Sequence, residues 1–245
     1  ILSSIEGDSG WSNTQVATDL ALTDPIIVLT NSSDSTSLVF RDSTDNQLML
    51  AHFDSSWSTS MLGSQGEAVS NDFPAVYLPN DNIAIALISD DGQNQNLTVW
   101  MYDGVTLESS TITGLTDLTS RIQLAMAEDG TMMVATLTST GVLNLYERQF
   151  NQSTWAENST WNSTVLRQPS GSINSFNLDL TGGSEPAMAV RADANSDVLY
   201  VRNGSVDWNS FGAQPTSTVD GAWDLSSENG TYILYNIDSL KNKLP

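Results

Sequence analysis

The sequence predicts an all-β fold, a five-bladed β-propeller of four-stranded antiparallel blades with the closing blade shared between the N- and C-termini. Two observations carry this prediction. Short β-type runs separated by turn residues fill the chain, and no stretch keeps a helical period. A motif anchored on a leucine recurs at spacings of 46, 49, 46 and 56 residues, and these spacings match the length of one four-stranded blade.

The repeat is anchored on five leucines, each of which begins a β-type segment such as "LMLAHF" or "LTVWMY". They are Leu2, Leu48, Leu97, Leu143 and Leu199. A tryptophan follows nine residues after three of these leucines, at Trp11, Trp57 and Trp208. Two further runs precede each full copy, and turns rich in Asp, Asn, Ser and Gly separate them. Each copy therefore predicts four strands, from an inner strand to an outer strand that carries the tryptophan.

The predicted blades form a single propeller domain over residues 1–245. Four blades lie at about 25–62, 73–112, 120–160 and 174–212, and a fifth at 220–245 is completed by 1–17. The N-terminus supplies only a third and a fourth strand, and the C-terminus only a first and a second. A ring closed in this way leaves no edge strand open to another chain. The tail "NIDSLKNKLP" resembles the start of a third strand, so the alternative is a chain that runs on into a further blade.

The charge balance is strongly acidic, with 8 Lys and Arg against 29 Asp and Glu and a formal net charge of −21. Such a surface repels phosphate backbones and anionic lipid, so nucleic acid is not an expected partner. No apolar stretch approaches the ~20 residues that span a bilayer, so no membrane insertion is expected. The chain has no cysteine, which excludes disulfides and thiolate chemistry.

Seven sequons of the form N-x-[ST] are candidates for N-glycosylation. They are Asn31, Asn96, Asn151, Asn158, Asn162, Asn203 and Asn229. Together with the scarcity of lysine and a first residue that is not methionine, they predict a secreted, extracellular glycoprotein. The alternative explanation of the composition is the acidic, hydrated surface of a halophile's protein.

The repeat resembles that of the fungal fucose-specific lectins, which are secreted six-bladed propellers. Their blade pattern is approximately [IL]-R-V-Y, a polar turn, D-N-x-[IL]-x-E and then Y-D-G-x-x-W. The segment "LVFRDSTDNQLMLAHFDSSW" (38–57) follows that outline without a gap, and "ILSSIEGDSGW" (1–11) fits its second half. The resemblance implies a propeller fold and a sugar held between neighbouring blades by an arginine, a glutamate and an aromatic wall.

Carried over position by position, the tryptophan of this pattern is kept and the charged clamp is lost. The arginine's place is taken by Leu38, Met188 and Ile233, and the glutamate's place by Ser4, Leu50, Leu145 and Val201. Apolar side chains offer neither donors nor acceptors to sugar hydroxyls. The sequence therefore favours the fold of this family and argues against fucose binding at the usual position.

Trp11, Trp57 and Trp208 are the sugar-stacking candidates, because a sugar ring has an apolar C–H face that packs on an aromatic ring. The alternative is that each indole covers the gap between two adjacent blades. Asp179 and Asp224 fall in predicted inner strands and are candidate axial carboxylates for a hydrolase.

Other carboxylates and the single histidine are weaker candidates for a catalytic or metal-binding role. Asp81, Asp90 and Asp91 lie in polar turns or at strand ends. His52 is the only histidine, so any Ser-His-Asp triad or histidine metal site would need it. It lies in a strand beside Phe53, and a structural role is expected for it. No catalytic residue, metal site or cofactor is predicted.

The leading hypothesis is a secreted, lectin-like, non-catalytic module that binds glycans or glycoproteins. One alternative is a five-bladed glycoside hydrolase that uses axial carboxylates. Another is a protein-interaction or cell-wall scaffold that has lost its sugar sites, which a contiguous exposed apolar patch would favour.

Overall fold

The computed structural model describes most of the chain. The described residues are 2–7, 10–16, 25–31, 33, 35–44, 47–63, 72–78, 80–90, 94–127, 129–150, 160–167, 175–181, 185–191, 197–202, 208–213, 223–228 and 231–236. Their side chains are described from residue 15 to residue 166, and at 176 and 178. All regular structure in these ranges is β-strand, and no helix in them is able to cross a membrane.

The first compact unit, residues 1–116, contains a hairpin and two four-stranded antiparallel sheets. The N-terminal hairpin is β1 (Leu2–Gly7) and β2 (Gly10–Gln15). Sheet I is β3 (Ile27–Thr30), β4 (Thr36–Arg41), β5 (Leu48–Asp54) and β6 (Ser56–Met61). Sheet II is β7 (Ala75–Tyr77), β8 (Ile83–Asp90), β9 (Gln95–Tyr102) and β10 (Leu107–Leu115).

The second compact unit, residues 117–245, contains two more such sheets and a hairpin. Sheet III is β11 (Leu118–Met126), β12 (Thr131–Thr138), β13 (Leu143–Gln149) and β14 (Asn162–Arg167). Sheet IV is β15 (Ser175–Thr181), β16 (Glu185–Arg191), β17 (Asp197–Arg202) and β18 (Trp208–Ala213). The C-terminal hairpin is β19 (Trp223–Glu228) and β20 (Thr231–Asn236).

The predicted four-stranded antiparallel architecture is confirmed in all four sheets, where strands pair in sequence order. Each anchoring leucine lies in a third strand or in β1, and the three tryptophans lie in β2, β6 and β18. One strand lies outside the approximate range predicted for its blade. The outer strand of sheet III is β14 (Asn162–Arg167), beyond the range 120–160 predicted for that blade. Its sequence "NSTVLR" has no apolar alternation and lacks the tryptophan that marks the outer strands β2, β6 and β18.

Alternation of side chains builds a core between sheet I and sheet II. Leu48 and Leu50 of β5 face the same cluster as Ile83, Ile85 and Leu87 of β8, because residues two apart on a strand share a face. The opposite face of sheet I forms a second cluster, in which Leu38, Phe40 and Ala51 pack with Val16. Sheet I is therefore covered on both faces.

First strands of successive sheets lie beside one another within each unit. In the first unit β3 is next to β7, and in the second unit β11 is next to β15 and β15 next to β19. The fourth strand of each sheet is at the opposite edge.

Candidate functional site

A cavity of about 460 Å³ lies between sheet I and sheet II. We call it the cleft. Its lining comes from β5 and β6 of sheet I, from β7, β8 and β9 of sheet II, and from three turns. Apolar side chains at its base, Leu50 and Ile83, belong to the core between the two sheets.

Two rows of cross-strand neighbours face one another across the cleft. On sheet I the row is Ser37, His52 and Ser58, which are paired across β4, β5 and β6. On sheet II the row is Tyr77, Ile83 and Tyr102, paired across β7, β8 and β9. Since directly paired residues point to the same side of a sheet, the pairing register brings two tyrosines and the histidine into one site.

A hydrogen-bonded chain joins the two rows. Ser37 Oγ lies 2.8 Å from His52 Nδ1 and 2.6 Å from Tyr77 Oη. Ser37 is completely buried, whereas His52 and Tyr77 are half-buried and line the cleft. These two hydrogen bonds give the buried Ser37 hydroxyl its partners, and they hold the His52 and Tyr77 side chains in fixed positions.

Tyr102 is held at the other end of the sheet II row. Its hydroxyl donates a hydrogen bond to the carbonyl oxygen of Gly104, at 2.7 Å. Gly104 has a φ of +94°, a left-handed conformation that glycine adopts without strain. The turn between β9 and β10 therefore fixes the orientation of the Tyr102 ring at the cleft.

Asp103 organises the same turn and also lines the cleft. Its Oδ1 accepts hydrogen bonds from the backbone N–H groups of Val105 (2.8 Å) and Thr106 (2.6 Å), and its Oδ2 accepts one from Thr106 Oγ1 (2.8 Å). The hydrogen bonds from Thr106, and then that from Val105, hold the pKa of Asp103 below its ordinary value of 3.8. Asp103 is therefore a carboxylate at neutral pH.

A second carboxylate, Asp81, reaches the cleft from the turn between β7 and β8. It is exposed and has a φ of +65°, a conformation that Asp and Asn tolerate better than most residues. The remaining polar lining comes from hydroxyl and amide side chains at the sheet I wall. These are Asn31, Ser35, Ser58, Thr59 and Ser60.

The residues that line the cleft can donate and accept hydrogen bonds and offer aromatic ring surface. Ser37 is adjacent to a histidine, yet its hydroxyl is fully buried and cannot reach a substrate. The depressed pKa of Asp103 is the opposite of what a general acid needs. Among the described residues no group of His, Cys, Asp and Glu is arranged to hold a metal ion.

The structure places Trp57 away from the cleft. Trp57 pairs with Phe53, which faces the cluster of Leu38 and Ala51 on the other side of sheet I. Its ring lies 5.3 Å from the Phe53 ring, and it is half-buried against that cluster. Trp11 and Trp208 lie in β2 and β18, and their side chains are outside the described residues. Sugar stacking by these three tryptophans stays a prediction.

The two clamp positions of sheet I do not face each other. Leu38 pairs with Ala51, and Leu50 pairs with Val39. Leu38 and Leu50 therefore point to opposite faces, and Leu50 alone lines the cleft. Even with charged side chains at both positions, this register would not bring them to one ligand.

The axial carboxylate candidates lie in neighbouring first strands. Asp179 is in β15, opposite Ala187, and Asp224 is in β19, opposite Tyr235. The strands β15 and β19 lie side by side in the second unit. The Asp179 and Asp224 side chains are outside the described residues.

Three of the seven sequons are among the described residues. Asn162 is exposed at the start of β14. Asn96 is half-buried in β9, and Asn31 is half-buried with its Oδ1 accepting hydrogen bonds from the backbone of Ser33 and Ser35. The others, Asn151, Asn158, Asn203 and Asn229, lie outside the described residues.

Sequence reasoning missed the two tyrosines and gave His52 only a structural role. A signal was present in the sequence. The segment "YDG" at 102–104 matches the Y-D-G of the lectin blade pattern. No tryptophan follows it: Thr106 stands nine residues after the anchoring Leu97, and Leu107 stands three residues after Gly104. Tyr77 carries no comparable motif, since only the pairing of β7 with β8 brings it into the row.

No protein-family model matches the chain, and no curated protein matches it. Solved structures do. A point mutant of Aleuria aurantia lectin in complex with Fucα1-6GlcNAc is 12% identical, with a TM-score of 0.59 over 90% of this chain and 73% of that one. AofleA from Arthrobotrys oligospora is 12% identical, with a TM-score of 0.60 over 88% of this chain and 65% of that one.

A third neighbour is an enzyme. The polysaccharide lyase Uly1 is 11% identical, with a TM-score of 0.58 over 86% of this chain and 54% of its own. The chain thus spans less than two thirds of the length of AofleA and of Uly1. At such low identities the likeness shows the fold alone, and that fold is the β-propeller of the fucose lectins that the repeat resembles.

Proposed function

We propose that this protein is a secreted, non-catalytic propeller that binds glycans or glycoproteins, and that the cleft between sheet I and sheet II holds the sugar. The observation that carries the proposal is the pair of facing rows, with two tyrosines on one side and His52 with hydroxyl side chains on the other. The likeness to a lectin solved with Fucα1-6GlcNAc supports it.

The cleft has the size and lining that a sugar requires. Its volume of about 460 Å³ is within the ~300–1,000 Å³ range of small-molecule sites. Tyr77 and Tyr102 offer apolar ring surface to the C–H face of a sugar. Ser58 and Ser60, which pair with His52 and Leu50 on the cleft face, offer hydroxyls that both donate and accept hydrogen bonds.

The aromatic side chains are held before any ligand arrives. Tyr77 is fixed by its hydrogen bond to Ser37, and Tyr102 by its hydrogen bond to Gly104. Side chains that are already ordered lose little conformational entropy on binding, and this favours affinity. Each tyrosine oxygen also keeps a lone pair with which to accept a hydrogen bond from a sugar hydroxyl.

The test is a glycan array with the purified wild-type chain and two cleft variants. Ser60→Trp fills the cleft from β6, where Ser60 pairs with Leu50 on the cleft face, and Tyr102→Leu removes one aromatic wall. We expect the wild type to bind a defined set of glycans and both variants to lose at least tenfold in affinity, about 1.4 kcal/mol.

The matched control is Val165→Ala, an exposed change on β14 of the second unit. It should bind as the wild type does. Silence of the wild type on the array, or full binding by a correctly folded Ser60→Trp variant, would refute the proposal.

A second candidate function is glycoside hydrolysis by Asp179 and Asp224. It is favoured by the neighbouring positions of β15 and β19, which carry these acids. It requires two carboxyl groups about 5–10 Å apart. Release of reducing ends from a glycan, lost in both Asp179→Asn and Asp224→Asn, would establish it in place of the lectin function.

We also propose that the fold closes as a ring of five blades, with the last blade shared between the two termini. The described residues contain twenty strands, the number that five four-stranded blades require. In the proposed fifth blade, β20 pairs with β1, at the ~5 Å spacing of adjacent strands. Because the chain has no cysteine, spin labels at Ser3→Cys and Asn236→Cys report this distance directly, and a long distance would refute closure.

Secretion and glycosylation are part of the same proposal. Asn162 is the described sequon with an exposed side chain, at the edge strand of sheet III, and is the one we expect to be modified first. Expression in a glycosylating host and peptide mass analysis with Asn162→Gln as the control would test this.

A further inference from the structure

We propose that the cleft selects sugars by charge, binding amino-bearing sugars most tightly, neutral sugars less tightly, and excluding uronic and sialic acids. This inference rests on the proposed function, since it concerns the ligand of the same site. It comes from the charges around the cleft rather than from the aromatic rows that support sugar binding.

The first unit contains almost no positive charge. Residues 1–116 include one arginine and no lysine, against fifteen aspartates and glutamates. The single arginine, Arg41, is buried, and its guanidinium lies 5.6 Å above the centre of the Phe73 ring. Arg41 is four residues beyond Ser37 on β4, or roughly 13 Å at the rise of a strand, and it does not line the cleft.

The two charged groups at the cleft mouth are both carboxylates. Asp81 and Asp103 line it from adjacent turns of sheet II. Hydrogen bonds from Thr106 and Val105 keep Asp103 ionised. Proteins usually hold a ligand carboxylate with arginine, in a paired hydrogen bond. No arginine or lysine lines this cleft, so an acidic sugar would meet only repulsion from these two groups.

An amino sugar is attracted by the same two aspartates. Its ammonium group donates up to three hydrogen bonds, and carboxylates accept them. Charges closer together than the ~8 Å Debye length at physiological salt are only partly screened, so a charge on a ligand in the cleft interacts with the aspartates that line it. We expect an amino sugar to bind at least about tenfold more tightly than the acid of the same ring at low salt.

The test uses three sugars of one ring configuration: glucosamine, N-acetylglucosamine and glucuronic acid. The readout is the ring resonance of His52, which is the only histidine in the chain and lines the cleft. Glucosamine should shift this resonance at the lowest concentration, N-acetylglucosamine at a higher one and glucuronic acid at none tested. Raising the salt concentration should narrow the difference.

Two variants remove charge while keeping shape. Asp103→Asn keeps an oxygen for the backbone N–H groups of its turn, and Asp81→Asn tolerates the positive φ. The double variant should lose most of the preference for glucosamine. The control is Asp90→Asn, an exposed carboxylate at the end of β8, seven residues or roughly 23 Å of strand beyond Ile83, that does not line the cleft, and it should keep the preference.

The outcomes separate the two claims. If glucuronic acid shifts His52 as readily as N-acetylglucosamine does, charge selection is refuted and sugar binding stands. If methylammonium shifts His52 as strongly as glucosamine does, or if no sugar shifts it, the cleft does not recognise a sugar ring, and both claims are refuted.

Discussion

The hydroxyl oxygens of Ser37 and Tyr77 lie 2.6 Å apart, so a hydrogen bond joins β4 of sheet I to β7 of sheet II beside the cleft. Ser37 is fully buried and also lies 2.8 Å from His52 Nδ1. One small hydroxyl thus positions two side chains of the candidate site. It also links two sheets that share an apolar core.

Replacing Ser37 with alanine should destabilise the protein by about 1–3 kcal/mol, because the polar groups of Tyr77 and His52 lose a partner in a half-buried site. Urea unfolding monitored by circular dichroism measures this loss. Ser58→Ala, at the exposed member of the same row, is the control and should change stability by less than ~0.5 kcal/mol. Equal stability of wild type and Ser37→Ala would mean that the hydrogen-bonded chain contributes nothing.

Gly63 is a position at which a methyl group does not fit. A Cβ added there would lie 2.6 Å from the Cη2 atom of Trp100, which is buried in the core between sheets I and II. Gly63→Ala should therefore destabilise by about 1–3 kcal/mol through overpacking.

A double-mutant cycle with Trp100 tests that explanation. Trp100→Phe removes the ring atoms that the new methyl group would meet, so Gly63→Ala should cost less in that background than in the wild type. Additive costs would show that the effect of Gly63→Ala comes from another source.

Trp57→Ala should cost about 1–3 kcal/mol of stability and leave glycan binding in the cleft unchanged. The indole packs against Phe53 and the cluster on the far side of sheet I, so truncation removes apolar contacts. Trp57→Phe is the control, since it keeps a ring and removes a buried N–H that has no hydrogen-bond partner among the described residues. Loss of glycan binding in a stable Trp57→Ala variant would favour the stacking role predicted from sequence.

The free energy of unfolding should decrease in acid, because Asp103 becomes protonated there. Its pKa is lower in the folded protein than its ordinary value of 3.8, because the hydrogen bonds from Thr106 and Val105 favour the ionised form. The stabilisation is therefore fully present above pH 3.8 and is lost as the pH falls through the folded-state pKa.

Asp103→Ala should accordingly melt at a lower temperature than the wild type at neutral pH, and the difference should shrink in strong acid. Calorimetry across this pH range measures it, with Glu108→Gln as an exposed control on β10. A difference that stays constant in acid would show that the carboxylate charge is not responsible.

The sequence by itself determined the repeat. Leucines at blade-length spacing, turns of Asp, Asn, Ser and Gly, and tryptophans nine residues after the leucines predicted four-stranded antiparallel sheets, because each of these signals acts within one or two neighbouring strands. It failed at β14, where a Ser- and Thr-rich segment forms a strand without apolar alternation. Pairing with β13 supplies there what the local pattern lacks.

Only the tertiary structure decided the site. Ser37, His52, Tyr77 and Tyr102 are spread over 66 positions of the chain, and two facing sheets bring them together. The face on which each side chain lies depends on pairing register, and a shift of one residue reverses it. This is why Leu38 and Leu50, which a linear pattern places in one clamp, point to opposite faces of sheet I, while residues without a shared motif meet in the cleft.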